Sequence, residues 1–144
     1  MAEALNTLVL NAKNAGTPLK LKTFICGRNR QENEGAKALA SFLGAVGTLE
    51  VVDMPQNGIY YPGIQALCEA FAKNPKLRHI NMNDNTFTEK GAAHFAAIVK
   101  DLRNLESLNL GDCLLKSGGA DILANALKGK LFESLITDQI YQPI

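Results

Sequence analysis

Residues 77–85 read Leu77-Arg78-His79-Ile80-Asn81-Met82-Asn83-Asp84-Asn85. The skeleton Leu77-x-x-Ile80-x-Met82-x-x-Asn85 occurs one period earlier as Leu49-x-x-Val52-x-Met54-x-x-Asn57, and before that as Leu21-x-x-Phe24-x-Cys26-x-x-Asn29. It returns one period later as Leu105-x-x-Leu108-x-Leu110-x-x-Cys113. Each copy stands 28 residues from the next, and Gly35, Gly63, Gly91 and Gly119 keep the same step. A fixed period of this length belongs to stacked-repeat architectures, in which each unit contacts only its neighbours.

The pairs Phe24/Cys26, Val52/Met54, Ile80/Met82 and Leu108/Leu110 alternate with period two, which predicts short strands with one buried face. The other faces carry Thr23, Ile25, Val51, Asp53, His79, Asn81, Ser107 and Asn109, and these line a shared solvated sheet. After each strand the period changes. Ala36, Leu39, Ala40 and Leu43 recur as Ile64, Leu67, Cys68 and Phe71, then as Ala92, Phe95, Ala96 and Val99, then as Ala120, Leu123, Ala124 and Leu127. Spacings of three and four place each set on one stripe of a helix. A strand followed by a helix, repeated, forces parallel strands with the helices as an outer layer. A helix takes ~10 Å across and a strand ~4.8 Å, so the stack bends with the sheet inside. The pattern is that of leucine-rich repeats. It predicts an α/β fold: a right-handed solenoid arc over a single domain, 1–144, with the parallel sheet concave, the helices convex and about five strand–helix units.

Composition narrows the function. The chain has 144 residues, 47% hydrophobic and 20% charged, with 15 basic and 14 acidic residues for a net charge of +1. No basic stripe is present, which argues against direct nucleic-acid binding. No apolar run approaches the ~20 residues of a membrane span, and the start has no basic leader before an apolar stretch, so it does not read as a signal peptide. Cys26 falls on a core-facing strand position, Cys68 on a helix stripe and Cys113 in the slot that holds Asn elsewhere. Free, buried thiols suit a reducing compartment, and without a C-x-x-C spacing a zinc site is not expected. His79 and His94 fall on different faces, so no metal cofactor is expected from them. Ser107, Ser117 and Ser134 have no His and acid at motif spacing, and no G-x-x-x-x-G-K-[ST] run exists, so neither nucleophilic catalysis nor a nucleotide cofactor is expected.

Both ends differ from the middle. Residues 2–14 suit a helix without a strand before it, and Phe132-Glu133-Ser134-Leu135 repeats Leu105-Glu106-Ser107-Leu108 after a step of 27. Neither end reads as a separate polar cap, which suggests a slice of a longer arc, and exposed end repeats invite end-to-end self-association.

The loops after the strands carry the functional reading. They are CGRNRQENEGA (26–36), MPQNGIYYPGI (54–64), NDNTFTEKGA (83–92) and LGDCLLKSGGA (110–120). In this order, and with the spacer Gly16-Thr17-Pro18-Leu19, they resemble the central repeats of the Ran GTPase-activating protein family. The resemblance covers nearly the whole chain. It implies a partner, the small GTPase Ran in its GTP form, held against the loops that follow the strands. It implies faster GTP hydrolysis on Ran through positioning of Ran's own glutamine and attacking water, with GTP and magnesium belonging to Ran. It also implies a role in nucleocytoplasmic transport, in the cytoplasm or at the cytoplasmic face of the nuclear envelope. The family's most direct catalytic residues, an asparagine and an arginine, lie N-terminal to the matched region. No residue here inherits a catalytic role, and the chain is expected to regulate a partner's hydrolysis without chemistry of its own.

At residue level, Arg28, Gln56, Asp84 and Asp112 occupy one slot and should form a row along the rim, spaced as the strands are at ~4.8 Å. Arg28 and Arg30 flank Asn29. They are read as forks for a carboxylate of the partner, as surface ion pairs with Glu32 or Glu34, or as an arginine finger. Asp84 and Asp112 either receive basic residues of the GTPase or close local Asx-turns. With Asn83, these four make the partner-binding set. Asn29, Asn57 and Asn85 should bond loop backbone through their amides, and Cys113 should fill their slot as a weaker donor. Phe87 shares the slot of Ile59 and Leu115 and is assigned to the core. Tyr60 and Tyr61 precede Pro62, which marks a helix start and leaves one tyrosine for solvent. The competing possibility is a scaffold of the ribonuclease-inhibitor type, with its partner on Asp53, His79, Asn81 and Asn109 of the concave face.

Overall fold

The computed structural model describes residues 2–130 and the backbone of 134–136. The order is α1 (Ala2–Asn14), β1 (Thr23–Ile25), α2 (Glu32–Val46), β2 (Val51–Asp53), α3 (Tyr61–Ala72), β3 (His79–Asn81), α4 (Thr88–Ile98), β4 (Ser107–Asn109), α5 (Lys116–Leu127) and β5 (Ser134–Ile136). The strands form one five-stranded sheet in the order β1-β2-β3-β4-β5. All neighbours are parallel, with Phe24 opposite Val52, Val52 opposite Ile80 and Ile80 opposite Leu108. The sequence period is thus the strand register itself. The shorter step of 27 holds as well, since Ser107 pairs with Ser134; Phe132 and Glu133 lie outside the described residues.

Each strand has only three residues, and its middle side chain enters the core: Val52, Ile80 and Leu108 are buried, with half-buried neighbours on the other face. Cys26, Met54, Met82 and Leu110 lie one residue past the strands and are buried too. Each helix packs against the next along the other side of the core. The helical stripes meet the sheet as the spacing requires, with three departures among the described residues. Ala96 and Ala120 are half-buried and Ala124 is exposed. For Ala124 the reason is position: α5 is the last described helix, so only α4 covers it. At the other end Phe24 and Leu21 are half-buried, although Val52 and Leu49 in the same slots are fully buried.

Three-residue strands leave many loop backbone groups to satisfy, and the asparagines do this. Asn57 Nδ2 donates to the carbonyl of Cys26 at 2.6 Å, and its Oδ1 accepts the Asn29 N–H at 2.9 Å. Asn85 repeats the pattern one turn on, donating to Met54 O and Met82 O at 3.0 Å and accepting from the N–H groups of Asn57 and Ile59 at 3.2 Å. Cys113 donates through Sγ to Met82 O at 3.2 Å, as its slot predicts. Asn29 differs: it is exposed and, among the described residues, its amide reaches only Gly27 O and Cys26 Sγ. A further buried amide, Asn74, joins α2, α3 and the segment leading into β2. Its Nδ2 donates to Leu43 O and Ala70 O at 2.9 Å, and its Oδ1 accepts the Leu49 N–H at 3.0 Å.

The recurring glycine lets each helix start close to the previous one. A Cβ at Gly63 would stand 2.6 Å from Ile59 Cγ2, 2.8 Å from Asn33 Oδ1 and 3.0 Å from Ala36 Cβ. At Gly119 the nearest atom would be 3.4 Å away. All three cysteines are free and buried. Burial pushes the Cys68 thiol up to about 12 from 9.0, with Glu69 adding to it. Burial likewise raises Cys113 to about 11; hydrogen bonding to the Asn85 backbone works against it, and Asp84 and Asp112 add to it.

Three outcomes are expected in unfolding experiments. Asn57→Ala strands at least two buried backbone groups and lowers stability by about 2–4 kcal/mol, whereas Asn29→Ala costs under about 1 kcal/mol. Gly63→Ala overpacks the α2–α3 contact at about 1–3 kcal/mol, while Gly119→Ala is tolerated; equal effects at the two glycines would contradict the packing. For pH, Cys68 and Cys113 ionise near 9.0 when unfolded but only near about 12 and about 11 when folded. Above pH 9 the unfolded chain therefore holds fewer protons, and stability declines as pH rises toward the folded values. Cys68→Ala should flatten that decline by up to about 1.4 kcal/mol per pH unit, read from urea midpoints at pH 8 to 10.5.

Candidate protein-docking rim

The loops leaving the strands are stitched to one another by backbone. Arg28 N–H donates to Pro55 O, Gln56 N–H to Asn83 O and Asp84 N–H to Gly111 O, each at 2.9 Å. Every acceptor immediately precedes the next member of the slot, so Arg28, Gln56, Asp84 and Asp112 stand in the expected row. All four are exposed. All four also take left-handed backbone, with φ of 57°, 52°, 54° and 52°. Side chains with a Cβ rarely adopt it; here the shared hydrogen bonds hold it. Arg30, Gly58 and Leu114 repeat the conformation two residues on, at 47°, 67° and 52°. Thr88, a β-branched residue at φ 57°, extends the strained set into the start of α4.

The charges on this row are uncommitted. The expected pairing of Arg28 or Arg30 with Glu34 does not form among the described residues; Glu34 pairs with Lys37 at 2.7 Å instead. Among the described residues Arg28 and Arg30 enter no ion pair, with Glu32 or otherwise. Among the described residues the expected Asx-turns at Asp84 and Asp112 do not form either. Other side chains shape those loops: Asn81 Oδ1 accepts the Asn83 N–H at 3.1 Å, and Asn109 Oδ1 accepts the Gly111 N–H at 3.0 Å. Because these asparagines start the turns, both carboxylates are left facing solvent. Asn83 lies half-buried beside them, its backbone fixed by Asn81.

The opposite edge of the sheet behaves differently. Lys22 pairs with Glu50 at 3.0 Å, and Arg78 pairs with Glu106 at 2.7 Å, with a second bond from Nε to Oε1 at 2.9 Å. These partners stand one repeat apart, so that edge neutralises itself. The Arg78 hydrogen bond is the main reason the Glu106 carboxyl sits below its usual range; desolvation opposes it, and the charges of Arg78 and His79 assist.

Apolar side chains stand out on the rim as well. Tyr60 is 54% exposed and Leu114 62% exposed. Tyr60 is thus the solvent-facing tyrosine. Tyr61 turns to α4, its hydroxyl 3.1 Å from His94 Nε2 and its ring 5.4 Å from Lys90 Nζ. Phe87 is buried, as its slot predicts. Leu114 was not singled out by sequence, although one sign was available: it is apolar in the slot occupied by Arg30, Gly58 and Thr86.

The concave face is the other candidate surface. A depression of ≈ 260 Å³ is lined by Asp53, His79, Asn81, Ser107 and Asn109, among others. Its polar groups are engaged locally: Asn81 Nδ2 donates to Asp53 Oδ1 at 2.8 Å, and Asn109 holds its own loop. Among the described residues no three His, Cys, Asp or Glu side chains converge to hold a metal ion. His79 lies 4.0 Å from Glu106, while His94 is on a helix against Tyr61. What the arrangement offers is a docking edge with charge, apolar pads and a fixed backbone.

Comparison with known proteins agrees with this geometry. The Leucine Rich repeat family pattern matches residues 73–96. The chain is 40% identical over 126 residues to Ran GTPase-activating protein 1 of Saccharomyces cerevisiae, covering 84% of this chain and 30% of that protein. It is 44% identical over 78 residues to the Ran GTPase-activating protein of Drosophila melanogaster, covering 54% of this chain and 13% of that protein. The chain thus spans less than a third of the length of these relatives. Among solved structures, the tropomodulin C-terminal domain of Caenorhabditis elegans superposes with a TM-score of 0.72 at 12% identity, covering 98% of this chain and 84% of that one, which speaks to the solenoid fold alone. With the ordered loop motifs and the register of the sheet, these matches make the chain a stretch of leucine-rich repeats belonging to the Ran GTPase-activating protein family.

Proposed function

We propose that the rim of Arg28, Arg30, Asn83, Asp84 and Asp112 docks Ran in its GTP form and that the complex hydrolyses GTP faster than Ran alone. One observation carries this reading: the loop edge of the sheet holds uncommitted charges in a fixed row, while the opposite edge pairs its own. The relatives named for Ran activation supply the partner. Along the row the sign changes, from guanidinium at the first loop to carboxylate at the third and fourth. A partner with an acidic group facing Arg28 and Arg30, and basic groups facing Asp84 and Asp112, meets it in one orientation.

The chain acts on its partner by positioning, and supplies no nucleophile or base of its own. Holding a reacting group in place can by itself remove several kcal/mol of a barrier. The nucleotide and its magnesium are Ran's. A cytoplasmic setting, including the cytoplasmic face of the nuclear envelope, belongs to the same proposal and suits three free thiols. End-to-end association of copies is its second part, supported by the outer edge of β1, to which no described strand is bonded.

The test is calorimetric titration with GTP-loaded Ran, followed by single-turnover hydrolysis. Truncating one partner of a desolvated charged pair costs about 2–5 kcal/mol. Arg28→Ala/Arg30→Ala and Asp84→Ala/Asp112→Ala are each expected to weaken binding by at least about tenfold, and added salt should weaken the wild-type complex. Glu50→Ala, at the opposite edge, should leave binding unchanged. Full affinity in both rim variants would refute the assignment. Loss of binding through Asp53→Ala and His79→Ala instead would favour a concave-face scaffold.

A further inference from the structure

We propose that the edge where α3, α4 and α5 end is a second docking surface, one that takes an extended acidic segment of another protein. It is independent of the rim, which lies at the other end of the strands.

Three loops build it. Residues 73–76, 100–104 and 128–130 follow the three helices and carry six cations, Lys73, Lys76, Lys100, Arg103, Lys128 and Lys130, against one carboxylate, Asp101. The whole chain carries only +1, so the remainder is net negative and the charge is segregated. No basic run marks this along the chain, because the six are spread over three successive repeats. Folding brings the loops together: Asn104 Nδ2 donates to Pro75 O at 2.8 Å, and Lys130 Nζ donates to Leu102 O at 2.9 Å. Between the first two loops lies a trough of ≈ 380 Å³ lined by Ala72, Pro75, Asp101, Arg103 and Asn104. The pairs Lys22–Glu50 and Arg78–Glu106 neutralise the neighbouring edge of the sheet, but the helix ends have no such compensation. The loop after α2, residues 47–50, brings no cation, so the cluster begins at α3.

Cations at helix ends can serve the helix itself, and part of this set does. Lys130 is committed to Leu102 O. The Lys73 stem packs on α2, where a Cβ at Gly44 would stand 3.1 Å from its Cδ. Lys100 and Lys128 are close enough to the last turns of α4 and α5 to complement their dipoles. Lys76 and Arg103 are different. They lie beyond the caps Lys73 and Val99, where the dipole effect has faded. Both are exposed, and among the described residues neither side chain has an ion pair or a hydrogen bond. The fold makes no use of these two charges, and both stand at the trough or beside it.

The chemistry of the edge selects its occupant. Five of the six cations are lysines, compact charges that respond to charge density rather than to planar geometry. None of the exposed large apolar side chains, Leu8, Leu10, Ile25, Tyr60 and Leu114, belongs to these loops. Bases therefore have nothing to stack on, and a bilayer receives no apolar anchor. A chain of carboxylates needs neither. Packed helices stand ~8–10 Å apart and an extended chain advances ~3.3 Å per residue, so about three residues reach from one loop to the next. A run of about six to eight Asp and Glu residues spans all three loops.

The test is fluorescence anisotropy of a labelled decapeptide of alternating Asp and Glu, titrated with the whole chain. In about 0.1 M salt, charges more than ~10 Å away are largely screened, so the reading is local. Binding with a Kd of about 100 μM or tighter is expected. Lys76→Gln/Arg103→Gln should weaken it about fivefold or more. Lys37→Gln/Lys90→Gln removes the same charge from other faces and should change it by less than about twofold, as should Asp84→Ala on the rim. Asp101→Asn removes the one repelling carboxylate and should tighten binding. No binding at about 1 mM, or equal losses in the two double variants, would overturn the surface. An oligouridylate, or vesicles of phosphatidylserine and phosphatidylcholine in equal parts, held more tightly than the peptide through Lys76 and Arg103 would overturn the acidic protein segment as its occupant.

Discussion

A buried carboxamide is the interaction on which the rest of this structure depends. Asn57 accepts from the loop before it and donates back into that loop, and Asn85 does the same for Asn57. Strands of three residues provide too few ladder bonds to hold adjacent turns together. The side-chain amide supplies the remainder because it alone offers donor and acceptor on one rigid plane. In a dry interior each such bond stands against the full cost of a stranded backbone group. The packing of Val52, Ile80 and Leu108 beneath the sheet follows from that alignment.

The same alignment produces the rim. Once each loop donates its amide to the next, the residue at that point takes left-handed backbone whatever its side chain, and so Arg28, Gln56, Asp84 and Asp112 share one conformation. Strain of this kind persists only where its surroundings over-determine it. Its consequence is a row of side chains standing clear of the body of the protein, anchored at their backbones. Ordering a flexible loop would cost a docking partner free energy, and here that cost is met largely on folding.

Charge distribution separates the two edges of the sheet. Lys22 with Glu50, and Arg78 with Glu106, are spaced by one repeat and satisfy each other. At the loop edge the sign also varies along the row, but over a longer interval, with Gln56 between the cations and the carboxylates. Screening in water makes contacts over several repeats weak, so these charges stay available to an incoming surface. The concave face lies between these cases, since Asp53 and Asn81 have already taken each other.

Much of this was written in the chain. The period of 28 fixed the strand register through β4, the step of 27 anticipated the pairing of β5 with β4, and the shared slot placed four rim residues in line. Periodicity determines these features because every repeat solves the same packing problem with the same residues. It could not say which groups find partners. That Glu34 turns to Lys37, that Asn81 and Asn109 close the turns expected of Asp84 and Asp112, and that Asn74 ties two helices to the segment leading into β2 were decided only in three dimensions. Partner choice depends on angstrom-scale distances between side chains of different repeats, whereas a sequence pattern carries only the face and order in which they arrive.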